Sequence, residues 1–393
     1  MRQFAYLHDT SIFCKPPISF NKWSERKLLA CALGATLYMP AARVTIAREI
    51  VGQKYPGLVS MVLCLEDAIG DDQVADAEQN LILQLSTLDE YIQSGKFSLE
   101  DLPIMFVRVR SPQQMILVLE SLGEAAYLLG GFVFPKFSSD DTGHLYFELL
   151  QKYNTFSGGP FYGMPILETA NVIYTETRIQ ELLAIKELLD EYHDLVLNVR
   201  IGATDFSSLF GLRRGPDVTA YEILPISSCI ADIINIFARV ESDYIISGPV
   251  WEYFSNGGRV LKPQLRQSPF KDFYGTLGKD IRGQLLDKFV DGLIREALLD
   301  KENGLMGKTT IHPSHLIPIQ ALYAVSHEEY LDAQHIIDSS GQQGVIRSRY
   351  TNKMNEVKPH YNWARKIILR SQAYGVLDEE HNFTALLAKD LYL

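Results

Sequence analysis

The chain has 393 residues, 47% of them hydrophobic and 22% charged, with a net charge of −11 at pH 7 and a pI near 5.4. That acidic balance excludes nucleic acid as the main partner, since neutralising phosphates takes clustered Lys and Arg; a small anion held by one local arginine stays open. The four cysteines, Cys14, Cys31, Cys64 and Cys229, form no CxxC pair and support neither a zinc ribbon, a redox motif nor a disulfide framework.

Residues 1 to 33 read as irregular around Pro16-Pro17, then as a short helix, "SERKLLACALG", that Gly34 can end. No apolar h-region marks a signal peptide there. No window along the chain approaches the ~20 apolar residues of a membrane span, so no membrane is expected and the cytoplasm is the expected location. From residue 35 onward, short apolar runs alternate with segments of helical period. The strand candidates are "ATLYMP" (35–40), "VSMVLCL" (59–65), "IMFVRV" (104–109), "GFVFP" (131–135), "GMPIL" (163–167), "DLVLNVRI" (194–201), "DYIIS" (243–247) and "KTTI" (308–311). Helices are predicted over 43–52, 71–94, 112–125, 140–153, 173–191 and 227–240. Nearly continuous apolar runs suit strands buried on both faces of a parallel sheet, and strand–helix alternation means an α/β fold. A single α/β unit can reach about 250 residues, so one large domain with additions fits the length.

Two regions break the rhythm. Residues 249–285 are polar, aromatic and rich in Gly and Pro, the pattern of an insertion or lid. Residues 316–393 read as mainly helical, with Ser326 as an N-cap, Glu329 three residues later and Gly375 as a stop. This leaves an N-terminal extension (1–34), a core (35–315) and a helical C-terminal region (316–393) covering the core or a neighbouring subunit.

Many of the strand candidates end on a charged side chain. In parallel α/β architectures the loops after the strand ends open on one side, so such residues converge even when distant in sequence. Glu168 ends "MPILE" and Asp205 follows "NVRIGAT". If these strands are neighbours their ends lie roughly 5 Å apart, and two carboxylates can share a divalent ion at about 2.1 Å, leaving positions for substrate oxygens. A pair of capping or solvated acids would fit the same spacing.

Arg108, inside "FVRVR", offers a planar fork for a carboxylate, or else pairs with Glu66 or Asp67; Arg110, two residues on, competes for the same role. Glu66 and Asp67 end the second run, either orienting metal waters or Arg108, or lying as acids at a helix N-terminus. Lys136 could neutralise an enolate or pair with Glu168. His312, beside Pro313, reads as structural. No GxGxxG, P-loop, HExxH or GxSxG motif occurs.

In order, "TLYMPAAR", "LCLEDAI", "FVRV", "VFPK", "ILETA", "IGATDF" and "GKTTIHPSH" resemble the citrate lyase β-subunit-like branch of the HpcH/HpaI aldolase family, which includes malyl-CoA lyases and other C–C bond lyases. The likeness runs from about Ala35 to Leu316, weakly to Gly375. It implies a modified TIM (β/α)8 barrel, usually homo-oligomeric, with Mg²⁺ on Glu168 and Asp205. It also places the arginine that grips the oxoacid at Arg108, Glu66 and Asp67 near the metal waters, Lys136 beside them, and Arg43 in the first loop. The chain departs from the pattern at Pro40-Ala41, where the family has Pro-Gly, and at Thr204, where it has an acid.

Two functions follow from the resemblance. The first is a Mg²⁺-dependent C–C lyase, or the reverse condensation, on a small hydroxy or oxo acid or its acyl-CoA thioester, by metal stabilisation of an enolate. The alternative is a thioester hydrolase or a non-catalytic barrel subunit of a larger complex.

Overall fold

The computed structural model describes residues 1–7, 9–157, 159–254, 288–341 and 344–388. In chain order its strands are β1 (Phe13–Lys15), β2 (Ala35–Pro40), β3 (Ser60–Cys64), β4 (Ile104–Arg108), β5 (Leu129–Phe134), β6 (Tyr162–Leu167), β7 (Val199–Ile201), β8 (Ile246–Ser247), β9 (Lys308–Thr310), β10 (Val345–Arg347), β11 (Met354–Glu356) and β12 (Val376–Leu377). Eight of them form one parallel sheet in the order β8-β7-β6-β5-β4-β3-β2-β9. A parallel bridge between Gly248 and Lys308 completes the ring. Each of the eight apolar runs marked in the sequence supplies one strand of this TIM barrel.

The residues of β3, β4, β5 and β6 are buried throughout, because the barrel interior covers one face and the helix shell the other. Strand register fixes which residues share a level. Pro40, Cys64, Arg108, Val133 and Met164 are successive partners around the wall. Ile166, Arg200 and Ser247 form another such row. Side chains alternate in and out along a strand, so this register decides which charges meet inside.

The helices that position the barrel are α1 (Arg26–Ala32), α2 (Ile46–Val51), α3 (Val74–Gln93), α4 (Pro112–Leu122), α5 (Asp141–Ser157), α6 (Ala170–Ile173), α7 (Arg178–Glu191), α8 (Ala203–Leu209), α9 (Leu224–Phe237) and α10 (Lys288–Glu302). Some bounds differ from the sequence expectation for local reasons. The helix predicted over 173–191 is two helices, with Thr177 turned to the carbonyls of Asn171 and Tyr174 between them. The helix predicted over 227–240 starts earlier, at Leu224, because Pro225 occupies its first turn, where a missing N–H costs nothing. The strand predicted over 194–201 is confined to Val199–Ile201, a turn of 3-10 helix taking His193–Leu195.

At the start of β9, Lys308 pairs with Glu296 at 2.9 Å and Asp300 at 2.7 Å, all three fully buried. Asp300 fills the space beside Gly248, where a Cβ would come within 2.3 Å of its carboxylate. This ion group belongs to the N-terminal half of the barrel wall, which serves stability.

The C-terminal region holds α11 (Leu316–Tyr323), α12 (His327–Asp338), α13 (Val357–Tyr374) and α14 (Thr384–Ala388). Ser326 and Glu329 form the capping box read from the sequence, and Gly375 ends α13 at φ 74°. The region is not purely helical: β10 and β11 make an antiparallel hairpin, three residues a side, too short for a periodic signal. Val325, Tyr330, Ala333, Ile336, Ile346, Ala364 and Ile367 form a separate small core here. The two ends of the chain are tied together, β1 pairing with β12 and the Tyr374 hydroxyl donating to the Cys31 carbonyl at 2.9 Å. Most of the insertion read at 249–285 lies outside the described residues.

Candidate active site

The C-terminal ends of β3 to β7 bring six charged side chains together. Arg108, the last residue of β4, has a side chain only 9% exposed, and its Nη2 lies 2.8 Å from Glu66 Oε2, 3.1 Å from Asp67 Oδ2 and 3.1 Å from Glu168 Oε1. Lys136 follows β5. Its ammonium pairs with Glu66, lies 3.4 Å from Asp67 Oδ1 and 4.0 Å from Asp205 Oδ1. Its backbone N–H donates to Glu168 Oε1 at 2.8 Å. Lys136 adopts φ 47°, a left-handed backbone disfavoured for a residue with a Cβ. That turn aims the amide at Glu168 and the ammonium at the acids above it, and such strain collects at functional sites.

Glu168 is 3% exposed. Burial, with the negative charge of Asp205 adding to it, raises its pKa to about 7 against the pull of Arg108 and Lys136. Asp205 sits in the first turn of α8, a half-buried carboxylate next to Gly202 and Ala203. Asp67 is held below its usual range: burial works the other way, but Glu66, Arg108 and Lys136 prevail. The Arg108 guanidinium is held charged by Glu168 and Glu66 despite its burial, and its Nε finds no acceptor among the described residues.

Four carboxyl groups thus meet two basic side chains, an excess of negative charge that favours a cation. Glu168 is seated tightly against the end of β7, since a Cβ at Gly202 would lie 2.2 Å from Glu168 Oε2. No group of three or more His, Cys, Asp or Glu suited to a metal occurs among the described residues. Glu168 and Asp205 are a two-carboxylate, all-oxygen donor set, which fits Mg²⁺: it takes one or two carboxylates and keeps its other positions for water and substrate.

The remaining sequence candidates fall elsewhere. Arg43 is 40% exposed and forked onto Glu49, with Nε to Oε2 at 2.8 Å and Nη2 to Oε1 at 2.6 Å. That pairing lies apart from the cluster. Arg110 is spent on Asp71 and the carbonyls of Leu65 and Ile69, which leaves Arg108 without its competitor. His312 stacks on Phe254, ring centroids 4.4 Å apart, in keeping with the structural reading.

Sequence reasoning passed over three residues here. Arg200 lies inside β7 between Val199 and Ile201, the same signal that singled out Arg108. Tyr38 lies within β2. Glu252, after β8, accepts a hydrogen bond from Thr204 Oγ1 at 2.6 Å, so a carboxylate from another strand end reaches the position next to Asp205. A cavity of about 840 Å³ elsewhere is lined by Tyr6, Trp23, Tyr55, Pro103 and other residues leading into β3 and β4. It opens at the N-terminal end of the barrel and takes in none of the six.

A parallel barrel with acids and an arginine at its C-terminal rim is the layout of a TIM-barrel enzyme. The family model for C–C bond lyases of the TIM-barrel fold matches residues 27–376, and the chain belongs to that family. Among solved structures, a citrate lyase from Burkholderia xenovorans LB400 is 15% identical, the match covering 90% of this chain and 95% of that one, with a TM-score of 0.59. The CitE protein of Mycobacterium tuberculosis, solved with magnesium, acetoacetate and coenzyme A, is 16% identical over 87% of this chain and 99% of that one, with a TM-score of 0.54. At such identities these two likenesses show the fold. No curated protein sequence matches the chain. No described helix is long and apolar enough to cross a membrane.

Proposed function

We propose that the protein is a Mg²⁺-dependent lyase that cleaves, or in reverse forms, a carbon–carbon bond in a small hydroxy or oxo acid or its acyl-CoA thioester. The observation that carries this is the meeting of Glu168, Asp205, Arg108 and Lys136 at the C-terminal rim of a C–C bond lyase barrel. Glu168 and Asp205 would hold the ion. Bound there, magnesium supplies the Lewis acidity that polarises a carbonyl and stabilises an enolate. The CitE protein solved with magnesium, acetoacetate and coenzyme A supports both the metal and the substrate class.

The chain's own residues set the rest. Arg108 is anchored by Glu66, Asp67 and Glu168 through one nitrogen, so its other donors remain for a substrate carboxylate in a fixed orientation. Lys136 places an ammonium among Glu66, Asp67 and Asp205. Cleavage of a β-hydroxy acid gives up its hydroxyl proton to a base or to water, converts the hydroxyl carbon to a carbonyl and leaves the bonding electron pair on the other fragment as an enolate. A preorganised positive charge beside that enolate lowers the barrier without reorganisation. Exposure grows from Glu168 on the floor to Asp67, 52% exposed, at the mouth, a depth suited to a small acid. Arg43, at the first loop, is the group we assign to the outer part of a longer substrate.

The test is calorimetry with Mg²⁺ and glyoxylate, pyruvate or oxaloacetate, followed by turnover assays on the matching hydroxy acids and thioesters. Glu168→Ala and Asp205→Ala are expected to remove Mg²⁺-dependent oxoacid binding and turnover. Unchanged turnover in both would end the metal assignment, and a barrel serving as hydrolase or scaffold would show no Mg²⁺-dependent oxoacid affinity.

A further inference from the structure

Below the carboxylate cluster, the inside of the barrel holds another cation. Arg200 of β7 is 1% exposed. Its Nη1 donates to Thr309 Oγ1 at 2.9 Å and its Nη2 to Thr36 Oγ1 at 2.8 Å. Those hydroxyls belong to β9 and β2, so the side chain reaches past β8 across the lumen. Both partners are neutral, and among the described residues no carboxylate pairs with it. A buried guanidinium without a counter-ion is costly, and an apolar side chain of similar size would fill the space at less expense of stability.

Arg200 lies beside Tyr38, its Cζ 5.7 Å from the ring centre. A guanidinium has five N–H donors and no acceptor. Toward a guanidinium the tyrosine oxygen can only accept, so the hydroxyl proton is turned away from Arg200. The Tyr38 hydroxyl is buried, and neither it nor Arg200 Nε has a hydrogen-bond partner among the described residues. Tyr38 lies two residues before Pro40, the strand partner of Cys64 and through it of the Arg108 level, so it shares their face one layer below the rim of the barrel. A phenylalanine would pack the same position without leaving a buried donor unmatched.

We propose that Tyr38 donates its hydroxyl hydrogen bond to an anionic oxygen of the small acid bound at the Arg108–Glu168–Asp205 cluster, and that Arg200 is the positioning residue that orients it. This rests on the lyase reading of the cluster and adds a residue pair to it. The ligand oxygen belongs to a 2-oxo or hydroxy carboxylate, or to its enolate. Tyr38 stays neutral and no proton is transferred. The hydrogen bond fixes the ligand's orientation and strengthens as negative charge grows on the oxygen.

The experiment is calorimetry on the whole chain with Mg²⁺ alone, then with glyoxylate, pyruvate or oxaloacetate in saturating Mg²⁺, for the unmodified protein, Tyr38→Phe, Arg200→Gln and the double variant. Tyr38→Phe is expected to keep its melting temperature and its affinity for Mg²⁺ alone, and to lose about 10- to 100-fold in oxoacid affinity, the range for a hydrogen bond to a charged group. Arg200→Gln should lose a similar factor when Tyr38 is present and little more in the Tyr38→Phe background, since the two act as one unit. If the unmodified protein binds an oxoacid and Tyr38→Phe binds it equally well, the pair is structural and this inference is overturned while the lyase reading stands. If the unmodified protein binds no oxoacid with Mg²⁺, both fall. Should Arg200→Gln not fold, Tyr38→Phe alone decides.

Discussion

The carboxylate of Glu168 is packed against the α-carbon of Gly202, so closely that a single added methyl group would stand 2.2 Å from Oε2 and 2.4 Å from Cβ of Glu168. The two residues sit on neighbouring strand ends, and the glycine's missing side chain is what lets the carboxylate lie between Arg108 and Asp205.

Gly202→Ala is therefore expected to displace Glu168 and not merely crowd it. Overpacking of this kind costs about 1–3 kcal/mol, which the barrel should survive. Mg²⁺ affinity should fall at least tenfold while the circular dichroism spectrum keeps its native form. Calorimetry showing unaltered Mg²⁺ binding would mean that Glu168 is not a ligand.

Arg108→Lys separates charge from geometry. Lysine keeps one positive charge but cannot present a fork to a carboxylate while also holding Glu66, Asp67 and Glu168. Oxoacid affinity should fall about 10- to 100-fold, with Mg²⁺ affinity changed much less. Arg108→Met should be worse for the fold, since it leaves buried acids unpaired, a loss of about 3–5 kcal/mol. The check is a pair of titrations, one with metal and one with oxoacid, set beside urea unfolding curves.

Much of this was legible in the sequence, and the reasons are local. Eight apolar runs gave the eight barrel strands, because strands buried on both faces carry that pattern. Glu168, Asp205, Arg108 and Lys136 stood out because each is a charge at the end of such a run, and parallel topology gathers those ends. Arg200 carried the same mark as Arg108, which ends its strand, but lies one residue before the end of β7, inside the barrel, where only the register with Ile166 and Ser247 reveals its direction. The Thr204–Glu252 contact spans 48 residues, and no periodicity predicts a side-chain pairing of that span. The pairing of Arg43 with Glu49 was equally hidden, since it depends on how the loop after β2 folds back onto α2.

Magnesium should stabilise the protein at pH 8 and not at pH 5.5. The pKa of Glu168 is raised by burial and by Asp205 to about 7, above the ordinary glutamate value of 4.5. Its ionisation therefore costs stability as pH rises from about 4.5 through 7, and a cation binding the ionised form returns it. Below 7 a proton competes for the same oxygens, weakening Mg²⁺ by up to about tenfold per pH unit. Melting temperatures with and without Mg²⁺ across this range should diverge only on the alkaline side. A constant difference at all pH values would remove Glu168 from the site.

Acid should unfasten the C-terminal helices through Glu329. This residue closes the capping box of α12 with Ser326, and its Oε1 accepts from Arg370 Nη2 of α13 at 2.8 Å. Burial would raise its pKa, but Arg370, Lys301 and the Ser326 N–H overcome it and hold it at about 2, against 4.5 for the free group. For a carboxyl depressed in the folded state, the stabilisation is fully present above about pH 4.5 and is lost as pH falls toward 2. A shift of that size corresponds to roughly 2–3 kcal/mol after allowance for its partial exposure. Glu329→Gln should lose about that much at pH 7, with the gap to the unmodified protein narrowing below pH 4.5. The measurement is urea unfolding at a series of pH values between 7 and 3, and a gap that stayed constant throughout would show that the capping geometry, not the charge, is what Glu329 contributes.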